Sequence, residues 1–522
     1  MNKIIKTRLI LPPNWLKLLI IFLLILGVFF RFCNLETRAY WHDETYTLLR
    51  ISGYTVPEVI QQVFTGHIIG VEELRQYQSV NHEKKFFDTL NGLVTEDQHH
   101  PPIYFLIARF WFQWLGDSVS INRSLPVLIS LLALPCIYWL CLELFKSYLT
   151  AWIAMGLVAI SPFHVYYAQE IREYGLWAVT TLLMSVSLLR AMRLGTKSAW
   201  VIYTVTTILS LYSAVFSVFV LFGHGIYVAV NEGFRLSQKA VAYLLTSFVS
   251  VVAFSPWLLV ILTHLDKLKE VTAWMDMSLP VNTLVKSWIF NLQSVFFKTQ
   301  FWLPESLKTL LAFAMAILVG YSIYVLCRHT PKQIWLFVVT LIIPISLSLA
   351  LPDLVSGGIR STNARYFVPS YLGCQLAVAY FLSTQFTSTK IKFLQRKHLR
   401  IITITIMAAG VLSGAIQSVR PSRSDNQKIA EIINRANMPL VVSGEASKNG
   451  GGTFGDIMEL SHLLDPKVKL QLVIEPNQPT IPEEFQDVFL YKTPESFKHK
   501  IEQKYRINSA YKKQLFFITK IK

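Results

Sequence analysis

The residues best able to do chemistry come in four short stretches. The first, Leu35-Glu36-Thr37-Arg38-Ala39-Tyr40-Trp41-His42-Asp43-Glu44-Thr45, sets an adjacent carboxylate pair among aromatic rings. Such a pair suits a general base in a cleft walled by lipid and helices. The plainer account is a solvated loop whose Tyr40 and Trp41 belong to an interfacial aromatic belt, and spacing alone favours it. The second stretch, His99-His100-Pro101-Pro102-Ile103-Tyr104, places His100 just before a helix start, because proline fits the first helical turn. A metal site would need more ligands than this spacing guarantees.

The third stretch ends Gln169-Glu170-Ile171-Arg172-Glu173-Tyr174. Ionisable residues packed at a membrane boundary are functional candidates by default, and their rival reading is a local Glu170–Arg172–Glu173 charge cluster at the water surface. The fourth holds Arg360 and then Arg365-Tyr366-Phe367-Val368-Pro369. An arginine at the mouth of a helix can grip phosphate with both arms of its guanidinium; the alternative is snorkelling to lipid headgroups.

The elements that must position these residues are apolar blocks. Of 522 residues 53% are hydrophobic and only 16% charged, against about 25% charged in soluble chains, and the mean hydropathy is +0.42. The apolar residues arrive in runs near the roughly 20 needed to cross a bilayer. Lys and Arg number 49 against 32 Asp and Glu. The excess sits in short breaks between apolar blocks, which is a positive-inside pattern and not a nucleic-acid surface. The five cysteines lie in or beside apolar segments without CxxC spacing, so neither a disulfide framework nor a zinc site is indicated.

Spans are expected at about 15–32, 124–144, 150–166, 175–192, 199–212, 214–230, 241–262, 307–327, 333–351, 367–385 and 401–418, eleven in all. The first block lacks a small-residue cleavage site at Arg31-Phe32-Cys33-Asn34, so it reads as a retained anchor. Ile103–Leu115 is too short to span and reads as an interfacial helix. With the N-terminus cytoplasmic, the inside segments gather the basic residues, from Lys3, Lys6, Arg8 and Lys17 to Lys390, Lys392, Arg396, Lys397 and Arg400, against only Glu143 and Glu232. A single helix across 199–230 would place that last cluster outside, against the bias. The outer side then receives 34–122, 167–174, 264–306, 352–366 and the tail from Val419.

The fold expected is an all-α polytopic membrane helix bundle of about eleven transmembrane helices in residues 1–418, with its first outer loop at 34–122. A small soluble extracytoplasmic α/β domain follows at 419–522. In that tail Pro439–Ser443, Val468–Ile474, Val488–Tyr491 and Leu515–Ile518 read as strands, while Asp456–Leu464 and Glu495–Lys504 read as helices. Gly450-Gly451-Gly452-Thr453-Phe454-Gly455 satisfies a dinucleotide fingerprint but lies too far past its strand for the tight turn that motif describes. It reads as a flexible loop.

Each stretch alone is a weak signal, but together and in this order the chain resembles the polytopic GT-C glycosyltransferases. The resemblance is to the bacterial branch related to protein O-mannosyltransferases and lipid A aminoarabinose transferases. It rests on Trp41-x-Asp43-Glu44, His100-Pro101-Pro102-x-Tyr104, Pro162 with Gln169-Glu170-x-Arg172-x-Tyr174, and Arg365-Tyr366-Phe367. Arg123-Ser124-Leu125-Pro126 after Gly116-Asp117-Ser118 fits as well. The resemblance covers roughly residues 15–385.

It implies a multi-pass inner-membrane enzyme that takes a sugar from a polyprenyl-phosphate donor and transfers it outside, usually with inversion. The acceptor is left open among protein, lipid and growing glycan. Asp43 matches the family's catalytic carboxylate, the proposed base for the acceptor hydroxyl, and Glu44 completes that motif. Arg365 matches a position for the lipid phosphate, Glu170 and Arg172 are implied to line the same cavity, and His100, Tyr174 and Tyr366 are implied to join them in binding substrate. Relatives often have Asp where this chain has Glu170, which leaves the use of a divalent cation open.

Independent chemistry agrees, since a departing phosphate is eased by fixed positive charge. No Asp-x-Asp of a nucleotide-sugar enzyme occurs among the eleven aspartates. Two alternatives stand beside the enzyme. A flippase for a lipid-linked saccharide would be expected to show inverted repeats and ionisable helix midpoints, and an inactive relative would scaffold a membrane assembly.

Overall fold

The structure, a computed structural model, describes residues 12–299, 302–387, 393–419, 424–445, 453–475, 477, 479–493 and 495–520. Lys3, Lys6, Arg8, Lys390, Lys392, Gly450, Gly451 and Gly452 lie outside the described residues, as do the side chains of Arg396 and Lys397. The chain divides into two compact units. One holds the described residues up to Cys33, Asp97–Tyr104, and those from Arg123 to 419. The other holds Asn34–Glu96, Phe105–Asn122, and those from Ser424 onward.

The first unit is a helix bundle. Every expected span is helical: Asn14–Phe32, Val119–Leu131 with Ala133–Phe145, Tyr148–Ala159 with Pro162–Ala168, Tyr174–Leu194, Lys197–Ser213, Ser217–Asn231, Gln238–Thr263, Glu305–His329, Lys332–Val355, Val368–Thr387 and Phe393–Val419. Length and composition suffice for fewer than the eleven crossings expected. Seven helices are long and apolar enough among the described residues, or eight if the bent pair Tyr148–Ala159 and Pro162–Ala168 makes one span. Lys197–Ser213 and Ser217–Asn231 have 17 and 15 residues, short of the roughly 20 a crossing needs. Val368–Thr387 is long enough, but Ser370, Gln375 and Ser383 dilute it. Side-chain oxygens of Ser147, Thr196 and Ser237 accept from backbone N–H groups three residues on, starting three helices as N-caps do.

The bent pair is set by Ser161-Pro162. Proline clashes with a helical residue before it, so Ser161 turns extended and caps a new helix at 56° to the last. Such a break frees carbonyls that apolar surroundings cannot solvate. Arg31, 1% exposed, reaches them: Nη1 donates to Ala159 O at 2.6 Å and Nη2 to Val158 O at 3.2 Å. The favour is returned at the end of Asn14–Phe32. There Gln169 Nε2 donates to the carbonyls of Phe30, Arg31 and Cys33 at 2.9, 3.3 and 3.0 Å. The two chains approach so closely that a Cβ on Gly27 would stand 2.5 Å from Ala159 O. Only glycine fits.

The second unit is α/β. Its six strands are β1 (Thr65–Gly70), β2 (Pro439–Glu445), β3 (Lys469–Ile474), β4 (Asp487–Tyr491), β5 (Tyr505–Tyr511) and β6 (Leu515–Lys520), in the order β1-β3-β2-β4-β6-β5. β2 runs parallel to β3 and β4, and the remaining pairs are antiparallel. The four strands expected in the tail are therefore present. So are both expected helices, as Phe454–Ser461 and Glu495–Glu502. The sheet also recruits β1 from the first long loop, which pairs Ile69 with Leu470. The loop and the tail share one core, with Leu49, Val59, Phe64 and Leu74 packed among Ile429, Val441, Phe454 and Leu470. Arg75 fixes the union by donating from Nε and Nη2 to Ser461 O and from Nη2 to Leu464 O, at 2.8, 2.6 and 2.8 Å.

Ile103–Leu115 is a helix of 13 residues. Phe110 and Trp114 are exposed, while Arg109 is fully buried and donates to Ile51 O and Thr89 Oγ1 at 2.8 and 3.1 Å.

Removing a buried donor that serves several carbonyls costs about 1–3 kcal/mol for each one left unsatisfied. Arg31→Leu is therefore expected to lower the melting temperature of a detergent-solubilised fluorescent fusion by several degrees. Trp15→Leu, half exposed on the same helix, should leave it nearly unchanged.

Candidate active site

In the membrane unit the turn after the bent pair is a knot of buried charge. Glu170 is fully buried, and Arg172, Glu173 and Tyr174 are at most 6% exposed. Arg172 Nη2 donates to His100 Nε2 at 2.9 Å, so the imidazole proton sits on Nδ1 and points to Glu173 Oε1, 2.8 Å away. Arg172 Nε also lies 3.8 Å from Glu173 Oε2. Burial opposes the Glu173 charge, but His100 and Arg172 outweigh it and hold the carboxyl well below the usual range. The neighbouring His99 imidazole, part-buried, is pushed down to about 3, chiefly by removal from water.

Tyr174 links this knot to the last stretch. Its ring lies 5.7 Å from the Arg172 guanidinium carbon and 5.9 Å from that of Arg365, within cation–π range. Arg365 also stands 5.4 Å from the Tyr366 ring. His100, Arg172, Tyr174, Arg365 and Tyr366 thus form one connected group, from three separate stretches of chain. Glu170 shares its turn, with its carbonyl accepting from Arg172 N at 2.7 Å.

Arg360 and Arg365, five residues apart, differ in kind. Arg360 is tied to Asp353 at 3.3 Å and to Asp276. Asp353 in turn accepts from Ser361 N and Oγ at 2.7 and 2.6 Å. Arg360 therefore holds the turn together, whereas Arg365 is half-buried with aromatic faces beside it.

Asp43 and Glu44 belong to the other unit, in the first turn of the helix His42–Ser52. Glu44 is fully buried, and its Oε2 accepts from Trp41 N at 3.3 Å as the carboxylate half of a capping box. Asp43 is half-buried at the preceding position, where the helix N-terminus favours an anion. His42 Nδ1 lies 4.0 Å from Asp456, which pairs with Lys492 at 2.7 Å. Gly455 packs under the His42 and Tyr46 rings, where a Cβ would stand within 2.7 Å of both. The glycine-rich stretch ends here for a second reason. Glu445, 1% exposed, accepts from the N–H groups of Thr453 and Phe454, so a protein carboxylate occupies the helix N-terminus where a phosphate would bind.

Two residues that the sequence reading left outside the site work in it. Glu173 anchors His100 and Arg172, and the clue was its place within Glu170-Ile171-Arg172-Glu173. Gln169 fixes the turn, and it was visible only as a motif letter. Among the described residues no group of three or more His, Cys, Asp and Glu side chains is placed to hold a metal ion.

Residues 99–260 match the model of the dolichyl-phosphate-mannose-protein mannosyltransferase family. No curated protein matches. The structure aligns with ArnT from Cupriavidus metallidurans over almost the whole of both chains. In the apo state the TM-score is 0.55 at 11% identity, covering 97% of each chain. Bound to undecaprenyl phosphate it is 0.52 at 10% identity, covering 97% of this chain and 98% of that one. The chain has the GT-C fold.

The same GT-C fold links it to the Archaeoglobus fulgidus oligosaccharyltransferase, with a TM-score of 0.51 and 14% identity over 87% of this chain and 65% of that one. These matches bear out the resemblance to O-mannosyltransferases and aminoarabinose transferases drawn from the motifs.

Glu173 gives the site a test of its own. Its folded-state pKa is depressed, so its stabilisation is present above the ordinary carboxylate value of 4.5 and fades as the pH falls further. Glu173→Gln is expected to destabilise the protein by about 3 kcal/mol, retained from pH 8 down to about 5 and shrinking below about 4.5. Paired melts of wild type and variant across that range measure it.

Proposed function

We propose that the chain is an integral membrane glycosyltransferase. It moves a sugar from a polyprenyl-phosphate donor to an acceptor hydroxyl on the extracytoplasmic side of the inner membrane. The observation that carries this reading is the connected group of His100, Arg172, Glu173, Tyr174 and Arg365 at the ends of membrane helices. Most of it falls within the stretch matching the mannosyltransferase family. The undecaprenyl phosphate bound by ArnT supports a lipid-linked donor.

The chemistry follows from the groups present. The acceptor oxygen attacks the anomeric carbon while its proton passes to Asp43. The bond from that carbon to the phosphate oxygen breaks, and the lipid phosphate leaves with its electron pair, inverting the centre. Arg365 meets the growing negative charge, and fixed positive charge is the efficient device for such a leaving group. Glu173 and His100 hold Arg172 in place, so its guanidinium needs no rearrangement during the reaction. Glu44 keeps the first turn of His42–Ser52 wound, which positions Asp43.

Loss of a positioned general base typically lowers the rate roughly 100- to 10,000-fold. Asp43→Asn is expected to do so with expression and membrane insertion intact, read as transfer of labelled sugar in vesicles. Near-normal turnover would exclude Asp43 as the base. The orientation has a separate test. Cysteines at 195 and 395 should be shielded from an impermeant thiol reagent in intact cells, and cysteines at 75, 285 and 480 should react. Labelling at 395 would reverse the end of the chain.

A further inference from the structure

Asp43 stands on a helix whose packed face belongs to the tail. Along His42–Ser52 the residues His42, Thr45, Tyr46 and Leu49 recur at i, i+3, i+4 and i+7, which is one stripe of a helix. Each of them meets the helix Phe454–Ser461. Gly455 lies under the His42 and Tyr46 rings. Thr45 Oγ1 stands 3.5 Å from Gly455 O, and the Tyr46 ring 5.9 Å from that of Phe454. Leu49, fully buried, shares a core with Phe454, Ile457 and Met458. Just before the helix, the Tyr40 ring meets His462 edge-on at 4.8 Å. Asp43 sits beside this stripe, about 100° round the helix from His42.

The helix Phe454–Ser461 is in turn held by the sheet. Glu445, at the end of β2, accepts from Thr453 N and Phe454 N. Lys492, just past β4, pairs with Asp456 at 2.7 Å. Asp456 also faces His42, 4.0 Å from its Nδ1. Two strands of the tail thus fix one short helix, and contacts along a single stripe carry that fixity to His42–Ser52. They set its rotation about its own axis, and that rotation decides where the Asp43 side chain projects.

Resting on Asp43 as the general base, we propose that the tail is a working part of the active site, with Gly455 as the residue that positions the Asp43 carboxylate. Glycine is needed there for its closeness. A Cβ at 455 would stand 2.5 Å from His42 Cε1 and 2.7 Å from Tyr46 Cε2, against about 3.5–4.0 Å for an ordinary carbon contact. The shortfall of about 1 Å falls on the stripe that orients Asp43. A displacement of that size at a reacting group can lower a rate roughly 100-fold.

The test compares rate with stability in the full-length protein. Initial rates are read in membrane vesicles from a deletion strain carrying each variant at matched expression. The donor probe is the cells' own pool of lipid-linked sugars, labelled by feeding tritiated glucose, and endogenous acceptors receive the label. Gly455→Ala is expected to lower the rate roughly tenfold and Gly455→Leu roughly 100-fold. Melting of the detergent-solubilised fluorescent fusion should change little in Gly455→Ala. Ile501→Val, in the separate core beside Leu440 and Val442, should do the reverse, lowering the melting temperature and leaving the rate of the folded protein unchanged. A double-mutant cycle reads the link to Asp43. Once Asp43→Asn has removed the base, adding Gly455→Ala should cost less than about twofold more.

An unchanged rate in both Gly455 variants overturns the proposal. So does a loss in Gly455→Ala that persists in full beside Asp43→Asn, or one matched by the fall in melting temperature, since the contact would then be structural only. The two readings fail differently. Slow transfer in Asp43→Asn with normal transfer in the Gly455 variants brings down the positioning role alone, whereas normal transfer in Asp43→Asn brings down the base on which it rests.

Discussion

A helix broken inside an apolar bundle leaves carbonyls that neither water nor lipid can satisfy, and in this protein Arg31 satisfies them. Its guanidinium bonds Val158 and Ala159 at the break, while Gln169 serves the carbonyls at the end of the first helix. Each helix end is thus capped by a side chain from the other. The bonds run both ways, so neither helix can slide without exposing the carbonyls of both. The residues that follow Gln169 inherit that fixity. Glu170, Arg172, Glu173 and Tyr174 leave a point held by three hydrogen bonds, and their side chains can be buried without wandering. The site's charges are organised by the same economy. Glu173 binds His100 and Arg172, and the two tyrosines attend Arg365. Carboxylates elsewhere absorb Arg360.

How much of this could be read in the sequence depended on the length scale of the signal. Apolar blocks of membrane length were legible, and helices stand at all the expected places. Which of those helices are long enough to cross was less so, because Ser213 to Ser217 breaks one apolar run into two short helices. The tail's four inner strands showed themselves through Val, Leu, Ile and Phe. β1 did not, because Thr-Gly-His-Ile-Ile-Gly holds two glycines and buries only Ile69. β5 lies at the opposite edge with one face to water, and its alternation is equally faint.

In the site, the residue types were legible and their partners were not. His100 and Glu173 are 73 positions apart, and nothing in either neighbourhood announces the 2.8 Å contact between them. Arg360 and Arg365 looked alike as letters. Asp276 and Asp353 fold back on the first and two tyrosine rings flank the second, which are tertiary facts. Glu44 shows a further limit of motif reading. The carboxylate beside Asp43 could be a second catalytic group or a helix cap, and the sequence Trp41-His42-Asp43-Glu44 is compatible with both. Burial and the bond to Trp41 N show a capping contact that the letters alone do not reveal. The glycine-rich stretch is the converse case, since Glu445 fills the place that a bound phosphate would need.

The pairing of β1 with β3 has a consequence for how the protein is made. Ile69 and Leu470 face each other across the ladder, yet the ribosome makes one roughly 400 residues before the other. At about 5–20 residues per second, the earlier strand waits roughly 20 to 80 seconds for its neighbour. Throughout that interval its backbone donors and acceptors are an open edge, the feature through which strands recruit wrong partners. The glycines, the single buried isoleucine and the shortness of β1 make it a poor template for such mispairing. The features that hid this strand from sequence reading are therefore the ones that let it wait safely for the end of translation.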